Sequence, residues 1–164
     1  MWKGIDVSDN QGTINWAQIP ENVDFAVLRS VRRSGKTDHQ FAANLEGCRE
    51  RNIQVSVYKY TYATTPEAAR QEAQQVVALL QSYGLAGTMI WWDVEDKDVL
   101  RPLGVTKLTE CIRAAQEVVE AAGYGFGLYV GLYVYKERWF DFDAFAGARL
   151  WVARYYHGYH TMQF

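Results

Sequence analysis

Strand-like and helix-like segments alternate along the 164-residue chain, and this alternation constrains the fold most strongly. Runs rich in β-branched and aromatic residues predict six strands, over residues 3–7, 24–31, 53–62, 88–95, 126–131 and 150–155. Apolar periodicity and capping residues predict helices over 40–51, from 66 to about 83 and from 106 to about 122. This order is typical of parallel β-α units.

Two architectures are built from such units, an open doubly wound sheet and a closed β/α barrel. No glycine-rich phosphate loop follows the first predicted strand, which weakens the nucleotide-binding form of the open sheet. A barrel usually has eight strands. Residues 161–164 have the pattern of the beginning of a seventh.

Composition narrows the class of protein further. Hydrophobic residues make up 49% and charged residues 22%, which predicts one globular domain over residues 1–164. A net charge of −2 argues against nucleic acid or an anionic membrane surface as partner. Cys48 and Cys111 are too few for a disulfide scaffold, and no apolar run approaches the ~20 residues of a membrane span.

Acidic residues stand at the ends of two predicted strands. Because side chains alternate between the two faces of a strand, Asp93 and Glu95 share one face and the apolar Trp92 lies on the other. Asp6 ends the first strand in the same way. A β/α barrel carries its active site at these strand ends, so we expect the three carboxylates to converge. A protonated carboxyl beside an ionised one is what glycoside hydrolysis requires.

Two other interpretations of these carboxylates remain open at this point. The Asp93 and Glu95 pair is also compatible with ordinary charges at a loop edge. Such a pair can alternatively hold Mg²⁺ or Ca²⁺, as in a metal-dependent phosphodiesterase or isomerase. Only three histidines occur in the chain, and none lies at an inward strand end, so we expect no metal and no other cofactor.

Aromatic residues make up 15% of the chain, and several of them fall on the faces of the predicted strands that point into the barrel. We expect Tyr60 and Tyr62 on the third strand, Tyr129 on the fifth and Trp151 on the sixth to line a sugar-binding groove, since such rings stack on sugars and hydrogen-bond them. Satisfied phenols in a polar barrel core are the alternative. Arg29 is interpreted either as an inward counter-ion to the carboxylates or as a surface arginine.

Several short motifs, in this order, resemble the glycoside hydrolase family 25 lysozymes, the Chalaropsis-type muramidases of phage endolysins, bacteria and fungi. They span nearly the whole chain: Gly4-Ile5-Asp6-Val7-Ser8, Asp24-Phe25-Ala26-Val27-Leu28-Arg29, Val57-Tyr58-Lys59-Tyr60, Trp92-Asp93-Val94-Glu95, Gly127-Leu128-Tyr129 and Leu150-Trp151-Val152-Ala153-Arg154-Tyr155. Gln11-Gly12, Trp16, Asp38, Phe41 and Asn44 complete the match. Each motif is weak alone, and their order and spacing carry the resemblance.

The resemblance implies an irregular, TIM-like β/α barrel that cleaves the β-1,4 bond between N-acetylmuramic acid and N-acetylglucosamine in peptidoglycan. By motif match Glu95 is the proton donor, Asp93 its carboxylate partner and Asp6 a third acidic wall residue. The nucleophile is then either a carboxylate or the N-acetyl group of the substrate. A non-catalytic module that binds cell-wall glycan on the same fold is the rival interpretation.

Relative to the family pattern, the chain stops before the last strands, so the resemblance implies a C-terminally incomplete barrel. We therefore expect either a monomer of low stability or a barrel completed by a partner chain. The expected substrate is the glycan strand of peptidoglycan, at the extracellular or periplasmic face of the cell wall. The N-terminus shows no signal peptide, which favours phage-type release or a removed leader.

Overall fold

The computed structural model describes residues 2–154 and contains a curled sheet of six parallel strands. The strands are β1 (Gly4–Val7), β2 (Phe25–Arg29), β3 (Gln54–Tyr60), β4 (Met89–Asp93), β5 (Gly125–Gly131) and β6 (Arg149–Ala153). Each described strand pairs with its neighbours in sequence, so the spatial order is β1 to β6 without a reversal. A doubly wound sheet reverses its strand order, whereas a β/α barrel does not, and the sheet is therefore a half-barrel.

The connections are the helices α1 (Phe41–Glu50), α2 (Pro66–Ser82), α3 (Val105–Ala121) and α4 (Leu132–Glu137). The predicted strands and the first three helices are confirmed, with shifts of a few residues at their ends. Helix α3 begins one residue before its predicted start at 106, after Gly104, whose positive φ of 76° suits glycine. Sequence periodicity missed α4, which follows β5 directly. The seventh strand predicted from residue 161 lies outside the described residues.

The helices cover one face of the sheet, and this face holds the hydrophobic core. Ile90, Trp92 and Val94 on and after β4 are almost completely buried there, as the alternation of side chains predicted. The opposite face of the sheet is therefore left to form a concave surface. No helix among residues 2–154 is long and apolar enough to cross a membrane.

Helix α1 can pack closely on the connection between β1 and β2 because Gly47 faces Trp16. A Cβ atom at position 47 would lie 2.2 Å from the indole ring of Trp16. Trp16 is thus a packing residue, as is the buried Trp139 that follows α4.

A charged residue lies inside the helix-covered face. Lys59 on β3 is only 1% exposed, and its Nζ is 3.5 Å from a carboxylate oxygen of Glu72 on α2. Glu72 also accepts hydrogen bonds from the Thr61 hydroxyl at 2.6 Å and from the Tyr62 backbone N–H at 3.2 Å. Burial lowers the pKa of Lys59, and the Glu72 charge opposes this effect. Glu72 therefore ties the end of β3 to α2.

Replacing Glu72 with Gln is expected to lower the free energy of unfolding by about 2 kcal/mol, because Lys59 would stay buried without a negative partner. Urea unfolding monitored by circular dichroism measures the change. Glu67→Gln is the matched control, since Glu67 is an exposed residue of the same helix and pairs only with Arg70 at 3.0 Å among the described residues. Equal stabilities of the Glu72 and Glu67 variants would contradict the expected role of Glu72.

Candidate active site

The concave face carries a row of polar and aromatic residues that cross the sheet at one level. The strand register pairs Tyr60 with Asp93, Asp93 with Tyr129, and Tyr129 with Trp151. Residues paired across parallel strands project from the same face of the sheet. Four strands therefore present these four side chains side by side.

This row borders a cavity of about 510 Å³ at the carboxyl ends of the strands. All eight residues predicted for the site line it, together with further residues of the first four strands and their loops: Asp6, Arg29, Tyr60, Tyr62, Asp93, Glu95, Tyr129, Trp151, and also Asn10, Val27, Val31, Arg32, Arg33, Tyr58 and Trp91. The size of the cavity suits a short stretch of a polymer or a drug-sized ligand.

Glycine on β5 makes room for the floor of the cavity. A Cβ at Gly127 would lie 2.8 Å from the ring of Trp91, which shares the concave face with Asp93. The Trp91 ring meets Trp151 edge to face at a centroid distance of 5.6 Å, and Trp151 meets Tyr129 in the same manner at 4.9 Å. These contacts hold the three rings at fixed angles, so the floor is an ordered aromatic surface.

Asp93 is the most deeply buried carboxyl in the cavity. It is 5% exposed, and its Oδ1 has no hydrogen-bond partner among the described residues. Burial raises the pKa of Asp93 to about 9, and the charges of Glu95 and Asp6 add to the increase. Asp93 is therefore protonated at neutral pH in the free protein and presents a carboxylic acid to the cavity.

Glu95 lies two residues beyond the end of β4. The sequence had predicted that the strand extends to residue 95 and includes Glu95. It is half-buried, and both burial and the nearby Asp6 charge raise its pKa. Asp6 on the edge strand β1 is more open to solvent, although burial raises its pKa as well. The predicted convergence of the three carboxyls on one cavity agrees with the structure, and their environments differ in the way that acid–base chemistry needs.

Two hydrogen bonds hold the backbone around Glu95, one with β5 and one with α4. The hydroxyl of Tyr133 on α4 donates to the Glu95 carbonyl oxygen at 2.8 Å, and the neighbouring Val94 N–H donates to the Tyr129 carbonyl at 2.9 Å. Asp96 closes the following turn by accepting hydrogen bonds from the Asp98 and Val99 N–H groups. The loop that carries Glu95 is therefore held at both ends.

Replacing Tyr133 with Phe is expected to lower kcat on a glycan substrate about fivefold, because one hydrogen bond of roughly 1 kcal/mol no longer fixes the Glu95 backbone. Tyr135→Phe is the control: it lies on the same helix, and its ring packs on Phe142 at a centroid distance of 5.2 Å. Steady-state kinetics with thermal melts measures both. An unchanged kcat for the Tyr133 variant would contradict a positioning role.

Arg29 lines the cavity, but its partners are not the three carboxyls. Its Nε donates to Asp38 at 2.6 Å, and its Nη2 pairs with Asp9. Asp38 also accepts from the Asp9 and Gln40 backbone N–H groups, and Asp9 contacts His39 Nδ1 at 3.1 Å. These ion pairs raise the pKa of Arg29 against the effect of its burial. Arg29 therefore fixes the loops after β1 and β2. Its contacts are with Asp9 and Asp38, and they do not favour the interpretation of Arg29 as a counter-ion to Asp6, Asp93 and Glu95.

Three cavity residues were missed by sequence reasoning: Asn10, Arg32 and Arg33. All three lie in the loops that follow β1 and β2, where no strand alternation predicts a direction. The only signal available was the adjacency of Arg32 and Arg33 to the end of a site-forming strand. Within residues 2–154, no group of three or more His, Cys, Asp or Glu side chains is arranged to hold a metal ion.

Comparisons with known proteins agree with this geometry. The sequence profile described as Glycosyl hydrolases family 25 matches residues 5–163. Among solved structures, the modular autolysin LytC from Streptococcus pneumoniae shares 27% identity at a TM-score of 0.73, over 82% of this chain and 33% of that protein. LytC has also been solved in complex with a synthetic peptidoglycan ligand. A search of curated protein sequences gives no match.

Two further solved structures are covered by this chain over a larger share of their length. The catalytic domain of endolysin ply40 from bacteriophage P40 of Listeria monocytogenes shares 25% identity at a TM-score of 0.75, over 94% of this chain and 75% of that domain. A bacterial lysozyme from Streptomyces coelicolor is similar in fold, with 19% identity and a TM-score of 0.77, over 98% of this chain and 77% of that one. The chain thus spans a third of the LytC protein and three quarters of the ply40 domain. Because the family profile matches nearly the whole chain, this protein belongs to Glycosyl hydrolases family 25.

Proposed function

We propose that the chain is a peptidoglycan hydrolase, an N-acetylmuramidase that cleaves the β-1,4 bond between N-acetylmuramic acid and N-acetylglucosamine. The observation that carries the proposal is the convergence of Asp6, Asp93 and Glu95 on one cavity with an aromatic floor. The complex of LytC with a peptidoglycan ligand supports the choice of polymer. The proposed substrate is therefore a glycan strand of the cell wall, and the proposed place of action is the wall itself.

Glu95 is the proposed general acid. It is half-buried at the cavity, where burial and the Asp6 charge raise its pKa and so favour the protonated form that an acid needs, and it is open enough to approach a glycosidic oxygen. Asp93 lies deeper and keeps its own proton more strongly. Asp6, on β1 of the same sheet, would supply negative charge that stabilises the positively charged sugar in the transition state.

A carboxyl that is protonated at neutral pH is a weak nucleophile, and this favours attack by the substrate's own N-acetyl oxygen on the anomeric carbon. Glu95 would protonate the leaving oxygen as that bond forms, and Asp93 would hydrogen-bond the N-acetyl group. The ionised Glu95 would then take a proton from the water that opens the cyclic intermediate. Tyr60, Tyr62, Tyr129 and Trp151 would stack on and hydrogen-bond the sugars. We further propose that residues 1–164 form one catalytic unit and that it requires no metal.

Digestion of purified peptidoglycan tests this function. The expected result is loss of turbidity with release of new reducing ends, which become muramitol after borohydride reduction if N-acetylmuramic acid is at the cut end. Chelator treatment should leave the rate unchanged, which separates this mechanism from a metal-dependent one. A folded chain that sediments with the walls but releases no reducing ends would favour the rival glycan-binding module. Release of glucosaminitol ends would instead contradict the proposed bond.

A further inference from the structure

The loop after β2 places two arginines on the rim of the cavity. Arg32 and Arg33 both line it, and the guanidinium carbon of Arg33 lies 4.4 Å from the ring centroid of Tyr62. Tyr62 in turn contacts Tyr60 at a centroid distance of 4.9 Å. The stacked guanidinium is therefore continuous with the aromatic wall of the site.

These two guanidinium groups differ from Arg29 in their surroundings. Within residues 2–154, no carboxylate oxygen lies within 4.0 Å of Arg32 or Arg33, and Arg32 donates from its Nε to the Thr37 carbonyl at 3.2 Å. Stacking on Tyr62 restricts the face of the Arg33 guanidinium and leaves its N–H edge for a planar acceptor. Such an edge binds a carboxylate with two parallel hydrogen bonds.

The cavity lining thus has a positive rim in the loop after β2, apart from the carboxyl groups at the ends of β1 and β4. An anionic group on a ligand is attracted to the arginines and not to the carboxyls. A glycan of alternating sugars, in which only every second sugar bears an acidic substituent, can satisfy this polarity in one register only. The register decides which of the two alternating glycosidic bonds reaches Glu95.

We propose that Arg33, assisted by Arg32, is a carboxylate-binding subsite that recognises the acidic 3-O substituent of muramic acid and thereby selects the bond that is cut. The inference rests on the proposed function, whose substrate carries this substituent. The carboxylate has two sources, the lactyl group itself when the peptide is absent and the stem peptide when it is present. The chemistry recognised is the same in both.

The test compares Arg33→Gln with the parent on three substrates: peptidoglycan with its stem peptides, the same glycan after amidase removal of the peptides, and that stripped glycan with its lactyl carboxylates converted to neutral methylamides. The expected result is a KM about tenfold higher for Arg33→Gln on carboxylate-bearing glycan, with kcat nearly unchanged, and no difference on the neutral glycan. Arg33→Lys should recover part of the affinity. Arg149→Gln, an exposed arginine of β6 outside the cavity, is the matched control.

Two further readouts keep the outcomes distinct. The fraction of glucosaminitol among reduced ends should rise for Arg33→Gln, because the register is less strictly selected. Equilibrium titration with stripped glycan fragments should give a Kd about tenfold higher for Arg33→Gln, and this measurement stands even if no turnover is detected. An effect confined to one carboxylate-bearing substrate identifies the source of the carboxylate. Unchanged KM, product ends and Kd, or an equal loss on the neutral glycan, would overturn the subsite while leaving the hydrolase function intact.

Discussion

Replacing Glu95 with Gln is expected to lower kcat/KM on peptidoglycan by about 10³-fold, a loss of about 4 kcal/mol of transition-state stabilisation. Glutamine has nearly the same shape and keeps the backbone carbonyl that accepts from Tyr133, but it has no proton to give to the leaving oxygen. The fold should be unaffected, because the Glu95 side chain is only half-buried and a neutral amide in this place relieves the repulsion from Asp6. Release of reducing ends, measured beside a thermal melt, gives both quantities.

Asp98→Asn is the control for this variant, since Asp98 is an exposed acid three residues further along the same loop and does not line the cavity. It should keep parental activity. The raised pKa of Glu95 also predicts that parental activity persists above pH 4.5, the ordinary value for a glutamate, before it falls as the acid ionises. A Glu95→Gln chain that retains more than a tenth of the parental kcat/KM would exclude Glu95 as the general acid.

Replacing Asp93 with Asn is expected to stabilise the protein in a pH-dependent manner. The native pKa of Asp93 is raised to about 9 from an ordinary value of 3.8, so unfolding releases a proton between these limits. The contribution of the protonated Asp93 carboxyl to the free energy of unfolding is fully present below about pH 4 and is lost as the pH rises towards 9. The loss is about 1.4 kcal/mol per pH unit, or about 4 kcal/mol at pH 7. Asparagine mimics the protonated acid and removes this dependence.

Urea unfolding at pH 4 and pH 8 tests the expectation. The Asp93→Asn chain and the parent should have similar free energies of unfolding at pH 4, and the variant should be more stable by several kcal/mol at pH 8. Asp98→Asn should follow the parent at both pH values. If Asp93→Asn gained no stability at pH 8, the native Asp93 would have to be ionised at little cost.

The side-chain alternation of strands explains why so much of the site was predictable. Asp93 and Trp91 fall on the concave face and Trp92 on the covered face because a strand in a helix-covered sheet must bury its apolar side. The same rule placed Tyr60 and Trp151 on two other strands. The strand register that brings Tyr60 beside Asp93 depends on how the two strands pair in the folded protein. The sequence predicted the two strands but not this register.

What the sequence did not reveal depends on contacts between distant segments. Tyr133 reaches the Glu95 carbonyl from 38 residues away, and no local period encodes that hydrogen bond. Lys59 alternates with tyrosines and looks like a surface lysine, yet Glu72 on a separate helix makes its burial possible. Arg33 belongs to a loop, where the absence of a period leaves its direction open. These contacts are decided by how the β-α units pack on one another.

The sequential order of the strands has a consequence for how the protein is made. Because each described strand pairs with neighbours in sequence, the sheet can grow by one β-α unit at a time as the chain leaves the ribosome. Asp6 is in place three strands before Asp93 docks against Tyr60. The cluster of Asp6, Asp93 and Glu95 therefore comes together only when half the sheet is already assembled, so the unfavourable burial of Asp93 takes place on a preformed scaffold.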